Sequence, residues 1–290
     1  MSQSTDHLRG EAERASQGLD ALVLAAERLS AALSFGNHGL RRAGSGEEFW
    51  QYRPASDSDA MRTIDWRRSA RTDTQYVRDR EAQVAQSAVL WLSRGRGMDY
   101  SGGPDRPAKG ERGAVLTLAL AMALLRGGER VALLGEPPKS GRVQSGAIAN
   151  GLTAAGPEAV GDDDYPALAA LRPGQQVVLL SDFLGDEQPV LDFLDRAAAM
   201  GLRGVMLQIL DPDEESFPFS GAVLFRSASG KHRHDTRDAG GLREAYLARL
   251  ADRRATLTRA AQQSGWHFGT HDTASPPTTA LMWLAAALEG

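Results

Sequence analysis

Two short segments carry the side chains best placed for chemistry. They are Leu92-Ser93-Arg94-Gly95-Arg96-Gly97-Met98 and Ser181-Asp182-Phe183-Leu184. Each follows an apolar run that reads as a β-strand, and in open α/β sheets ligands sit at the carboxyl ends of strands. Gly95-x-Gly97 imitates the start of a dinucleotide loop, but the third glycine is misplaced. The chain runs on through Ser101 to Pro104 instead of opening a helix whose amides would face a pyrophosphate. A Walker A sequence is absent, since Lys109-Gly110 has the reverse order, and neither Gly-x-Ser-x-Gly nor His-Glu-x-x-His occurs.

The other candidates have simpler explanations. With no cysteine, disulfides, zinc-thiolate sites and cysteine nucleophiles are excluded. His267 and His271 are four apart on an expected strand, which places them about 13 Å from each other, too far to share an ion. His232 and His234, with Asp235 beside them, fit an exposed hairpin face. Asp162, Asp163 and Asp164 precede an expected short helix and suit capping and the helix dipole. No catalytic set is complete, and an enzyme is not expected.

The elements that would position the two strand ends alternate. Strands are expected at 88–93, 130–134, 176–181, 204–210 and 266–271, and helices at 114–125, 145–155, 163–171, 190–200, 242–264 and 278–288. Continuous apolar strands separated by helices indicate a parallel sheet covered on both faces. A hairpin is expected across 222–235 around Ser229-Gly230. Ahead of this, Leu8, Ala12, Ala15, Leu19, Leu22, Ala26, Leu29 and Leu33 form one stripe on a long helix. Such a stripe packs on its own domain or forms a dimer seam. Residues 36–84 mix Gly, Arg, Asp and aromatic residues without clean periodicity, so irregular ordered structure is expected there.

The 290 residues allow one large domain with additions, or two modest ones, divided here as 1–84 and 85–290. With 33 basic and 37 acidic side chains the formal charge is −4, which gives no basic excess for nucleic acid. The first ten residues are polar and no long apolar run occurs. Neither a signal peptide nor a membrane span is expected, and a cytoplasmic location is the default.

Residues 36–81 hold an ordered motif: Gly44, Gly46, Glu47 and Phe49, then Tyr52 and Arg53, then Ile64-Asp65-Trp66-Arg67-Arg68-Ser69-Ala70-Arg71. This resembles the signature of the domain of unknown function 58 family. The remainder is similar in element order to that family's von Willebrand factor A-like domain. The resemblance implies an α/β fold with a mostly parallel, doubly wound, Rossmann-type sheet, an N-terminal helix and an Arg/aromatic segment. It also implies a motif, Asp-x-Ser-x-Ser-Met, at the end of the first sheet strand, which resembles the metal-ion-dependent adhesion site of von Willebrand A domains.

Aligned on Met98, that site here reads Ser93, Gly95 and Gly97, with Asp182 at the later strand-end position. Magnesium takes an oxygen shell with at least one carboxylate, and two glycines supply no side-chain oxygen. The site is therefore expected to be degenerate, with no metal and no cofactor. Arg94 or Arg96 could replace the ion's charge beside Asp182; alternatively both are solvated. In the signature segment, Arg53, Asp65, Trp66, Arg67, Ser69 and Arg71 either brace the fold or form a docking surface.

The resemblance further implies a protein partner, a MoxR-type AAA+ ATPase, in systems that help assemble or mature other proteins. The expected function is thus a non-enzymatic protein-interaction module. The alternatives are a metal-assisted hydrolase and a scaffold dimerised through the residue 6–34 helix.

Overall fold

The computed structural model describes residues 17–33, 40–44, 48–55, 69, 76–84, 86–154, 161, 163–227 and 233–289. They fall into two units: Asn37–Gln86, and Met1–Gly36 together with Ser87–Gly290. The first helix thus belongs with the large sheet and not with the signature segment, so the division differs from the 1–84 and 85–290 expected from sequence.

In the small unit, β1 (Leu40–Gly44), β2 (Glu48–Pro54) and β3 (Tyr76–Val84) form an antiparallel sheet with order β1-β3-β2. For the described residues 40–44, 48–54 and 76–84 this corrects the expectation of irregular structure. The register shifts between Phe49 and Gln51, leaving an extra residue on β2. A bulge of this kind breaks the period-two alternation that would have revealed a strand.

The large unit is built on five strands: β4 (Ser87–Leu92), β5 (Arg130–Leu133), β6 (Gln175–Ser181), β7 (Arg203–Leu210) and β10 (His267–Asp272). Their order is β10-β7-β6-β4-β5, and every pairing is parallel. The chain leaves β4 for β5 on one side and returns to β6 on the other. The β4/β6 boundary is therefore the topological switch point, where the two connections diverge and open a crevice.

Both faces of this sheet are covered, which is why its strands read as continuous apolar runs. Ala88, Leu90, Val178, Leu180, Val205 and Leu207 face one core. The helices there are α1 (residues 17–30), α2 (Lys109–Arg126), α3 (Arg142–Thr153) and α7 (Pro277–Glu289). Val89, Trp91, Val177, Leu179 and Met206 face the opposite core, against α4 (Gln188–Ala199) and α6 (Arg243–Gln263). On α1, Leu22, Ala26 and Leu29 are buried in the first core, so this part of the stripe is used within its own unit.

Trp266 is buried in the second core, edge-on to Phe193 at 5.9 Å, and donates its indole N–H to the Leu202 carbonyl at 3.1 Å. That bond satisfies the one polar atom the ring brings inside. The helix expected over 163–171 is only a 3₁₀ turn, Leu168–Ala170. Pro166 disfavours helical backbone at the residue before it.

The hairpin strands β8 (Val223–Arg226) and β9 (Arg233–Thr236) pair antiparallel as expected. Phe225 of β8 packs on Phe217, which also meets Phe219 and Tyr246, so a small aromatic cluster ties the hairpin to α6. No described helix is long and apolar enough to cross a membrane.

Candidate functional site

The switch point brings the two expected strand ends together. Ser93 N–H donates to the Leu180 carbonyl at 2.9 Å, extending the β4–β6 pairing to the rim. Beyond it the chain makes a 3₁₀ turn, Arg96–Asp99, whose Met98 is buried. This loop is tied on one side: Arg94 N–H donates to Asp164 Oδ2 at 2.9 Å and Arg96 N–H to the Gly161 carbonyl at 3.0 Å. Asp164 therefore holds the loop after β4 rather than the start of a helix.

At the centre is Lys109, the first residue of α2. Its ammonium lies 2.8 Å from Asp182 Oδ2 and 2.7 Å from Glu214 Oε1. The lysine side chain is 1% exposed, while the two carboxylate side chains are 14% and 17% exposed. The cation is therefore beneath and the anions form its cover. Asp182 comes from the end of β6 and Glu214 from α5 (Pro212–Ser216), which follows β7. The Tyr100 ring lies 5.8 Å from the ammonium, and the Lys109 N–H donates to the Tyr100 carbonyl at 3.1 Å. Charge-assisted contacts this short hold the rim's three segments at one point.

Each carboxylate is fixed in turn. Asp182 Oδ1 accepts the Leu184 N–H at 3.3 Å, and the Asp182 carbonyl accepts Gln208 Nε2 at 2.8 Å. Glu214 Oε2 accepts the Asp211 N–H at 2.9 Å, one half of a capping box at the start of α5. Asp211 is fully buried. It accepts the N–H groups of Asp213 and Gly102 at 2.9 and 3.0 Å and the Thr273 hydroxyl at 3.2 Å, and faces Arg106 at 3.3 Å. Arg106 also pairs with Asp213 at 2.9 Å. Gly102 permits this approach, because a Cβ there would come within 2.4 Å of Asp211 Oδ1.

Burial pushes the Glu214 carboxyl up from its ordinary range, while Lys109 works in the opposite direction. Burial, then Asp213, Asp211 and Glu214, raise the Tyr100 phenol to about 12. Tyr100 is therefore neutral at any physiological pH.

Helix α6 supports the rim from behind. Phe183 and Phe217 have φ of 47° and 46°, a left-handed conformation costly for a bulky residue. Arg253 donates to the Phe183 carbonyl at 2.9 Å and Arg243 to the Phe217 carbonyl at 2.8 Å, so α6 captures both strained segments. Arg254 donates to Gln208 Oε1 at 2.7 Å and pairs with both oxygens of Glu215.

Of the two readings open for Arg94 and Arg96, charge replacement is not the one seen: neither residue takes the place beside Asp182. The Arg94 guanidinium donates to the carbonyls of Ala154 and Gly151. Arg96 is exposed, and no ion pair joins either arginine to Asp182 among the described residues. Lys109, 73 residues away in sequence, takes that place. The sequence did hold one signal. Only three of 33 basic residues are lysines; that this one opens a helix, where the dipole disfavours a cation, is seen only in the structure, since the helix was expected to begin at 114.

The remaining expected site residues do not fit a divalent ion. Gly95 and Gly97 offer no side-chain oxygen, and the Ser93 hydroxyl accepts the Gly95 N–H at 3.3 Å. The ammonium occupies the inner side of Asp182. Among the described residues no group of three His, Asp or Glu could hold a metal.

Of the signature residues, Arg53 lies on β2 opposite Val77. Ser69 is buried and accepts the Tyr76 N–H at 2.9 Å. Asp65, Trp66, Arg67 and Arg71 lie outside the described residues, as does His232. His234 is exposed, and His271 is buried on β10.

The geometry defines an α/β protein whose switch-point rim is closed by an internal ion-pair network. Residues 51–256 match the family described as "Protein of unknown function DUF58", and the chain belongs to that family. No curated protein matches it. Among solved structures it is similar to an aerotolerance-related membrane protein from Bacteroides fragilis carrying multiple mutations to serine. That likeness has 14% identity and a TM-score of 0.43, covering 70% of this chain and 98% of that one. It is also similar to the conserved hypothetical protein BatB from Bacteroides thetaiotaomicron, with 15% identity and a TM-score of 0.39, covering 71% and 100%.

Proposed function

We propose that the chain is a non-enzymatic protein-interaction module. In this reading the large unit is von Willebrand factor A-like with a degenerate metal-ion-dependent adhesion site, and its partner is a MoxR-type AAA+ ATPase acting in assembly or maturation of other proteins. The observation that carries it is the Lys109–Asp182–Glu214 cluster. The lysine and carboxylates that could act as base, nucleophile or metal ligand at the switch point are engaged with one another. A rim whose charged groups are fixed in place is suited to presenting a constant surface to another protein. The ATPase itself comes from the family resemblance.

The test is size-exclusion chromatography of the purified chain with a purified MoxR-type ATPase from the same organism, with and without ATP. Co-elution is expected in one nucleotide state, with the ATP turnover rate altered in the mixture. Separate elution in every state, at concentrations well above micromolar, would remove this partner.

A further inference from the structure

We infer that Lys109 is a tethered, permanent cation that does the electrostatic work of a bound divalent ion, so that the rim is complete without metal. The inference about the ammonium stands on the ion-pair geometry alone. Only its extension, that docking is indifferent to divalent ions, depends on the proposed function.

Three observations carry it. The ammonium bridges carboxylates from two separate segments, at 2.8 Å to Asp182 and 2.7 Å to Glu214, and so links the end of β6 to the turn after β7 as a shared ion would. Secondly, the lysine is buried to 1% exposure beneath carboxylates that are themselves partly exposed. An ion arriving from solvent would meet carboxylates whose inner oxygens are already engaged by a covalently held charge. Thirdly, the neighbouring oxygens already have internal donors, so none of them needs an ion to be satisfied. The Ser93 hydroxyl accepts from Gly95, the Ser181 hydroxyl accepts the Phe183 N–H at 3.2 Å, and Glu214 Oε2 accepts from Asp211.

Lysine suits this role better than arginine. Its ammonium is a compact point charge with three divergent donors, whereas a guanidinium is a larger planar fork. Position at the first turn of α2 works against a cation, so the two carboxylates and not the helix set where the ammonium rests. The Lys109 N–H bond to Tyr100 anchors the backbone from which it reaches.

The experiment uses the full chain with MnCl2 as the probe, following thermal melting and Mn2+ binding by calorimetry and electron paramagnetic resonance. Wild type is expected to bind no Mn2+ at the rim and to melt at the same temperature with Mn2+ or with EDTA. Lys109→Ala is expected to melt on the order of 10 °C lower in EDTA, as loss of one partner of a buried pair requires. It should regain much of that in Mn2+, because Asp182 and Glu214 are then free to coordinate. Lys109→Ala/Asp182→Asn should gain nothing from Mn2+.

A folded Lys109→Ala chain indifferent to Mn2+ would overturn the inference. So would stoichiometric Mn2+ uptake by wild type that Asp182→Asn abolishes, a measurement that needs no lysine variant to fold. Neither readout involves a partner. Failure of the ATPase experiment therefore leaves this one standing, and the reverse.

Discussion

Acidification should weaken the β10 end of the rim through His271, by an amount the structure allows to be worked out. The imidazole is 6% exposed, and its Nε2 lies 3.2 Å from Arg112 Nη1. Because the guanidinium can only donate, the ring must accept there and is neutral, with its proton on Nδ1. Arg112 cannot turn away: it also donates to the Ser275 and Thr273 carbonyls, each at 2.7 Å. Burial, then the Arg112 charge, holds the imidazole down at about 4 from its ordinary 6.5, while Asp272 acts in the opposite sense.

A folded-state value below the unfolded one means that the unfolded chain takes the proton first. The stability contribution is therefore full above pH 6.5 and is lost as pH falls from there to about 4. A fall of this size corresponds to about 3 kcal/mol. The perturbation is His271→Gln, which keeps an acceptor for Arg112 but does not titrate. The assay is urea denaturation of both proteins from pH 7 to pH 4. Wild type should lose about 3 kcal/mol more than His271→Gln over that range, while acid-sensitive groups remote from His271 act equally in both and cancel. Parallel stability curves would refute the reasoning, since they would mean that the buried ring is protonated as readily folded as unfolded.

Two further substitutions probe packing and the back of the rim. Gly204→Ala on β7 places a Cβ 2.1 Å from the Val177 carbonyl and 2.8 Å from the Trp266 ring. The carbonyl is backbone in the neighbouring strand and cannot swing aside, so a loss of about 3 kcal/mol or more is expected in chemical denaturation. Arg254→Ala leaves Glu215 and the Gln208 oxygen without their donor. Because both ionic partners are about a quarter exposed, the expected loss is only about 1–2 kcal/mol, measured in the same way.

Much of the large unit was legible because local pattern reports burial. Apolar runs at β4, β6 and β7 marked strands covered on both sides, and the intervening periodic segments marked helices. The resemblance over residues 36–81 pointed to the same family as the match over 51–256. The antiparallel sheet β1–β3 was not legible, because the bulge at Phe49/Gln51 interrupts alternation and β3 pairs with strands on both sides, both earlier in the chain. The Asp162–Asp164 run was read as a helix cap because composition favours that. Asp164 instead acts at a distance, holding the Arg94 amide.

By itself, then, the sequence determined that Ser93 and Asp182 end two core strands and that Gly95 and Gly97 bring no oxygen donors between them. Which charge would stand against Asp182 was decided only by tertiary structure. Strand order places β6 between β4 and β7, and so sets the start of α2 and the turn after β7 on either side of one carboxylate. Hydrophobic periodicity depends on near neighbours along the chain and can be read locally. An ion pair between residues 73 positions apart depends on how the strands are arranged, and no local pattern encodes that.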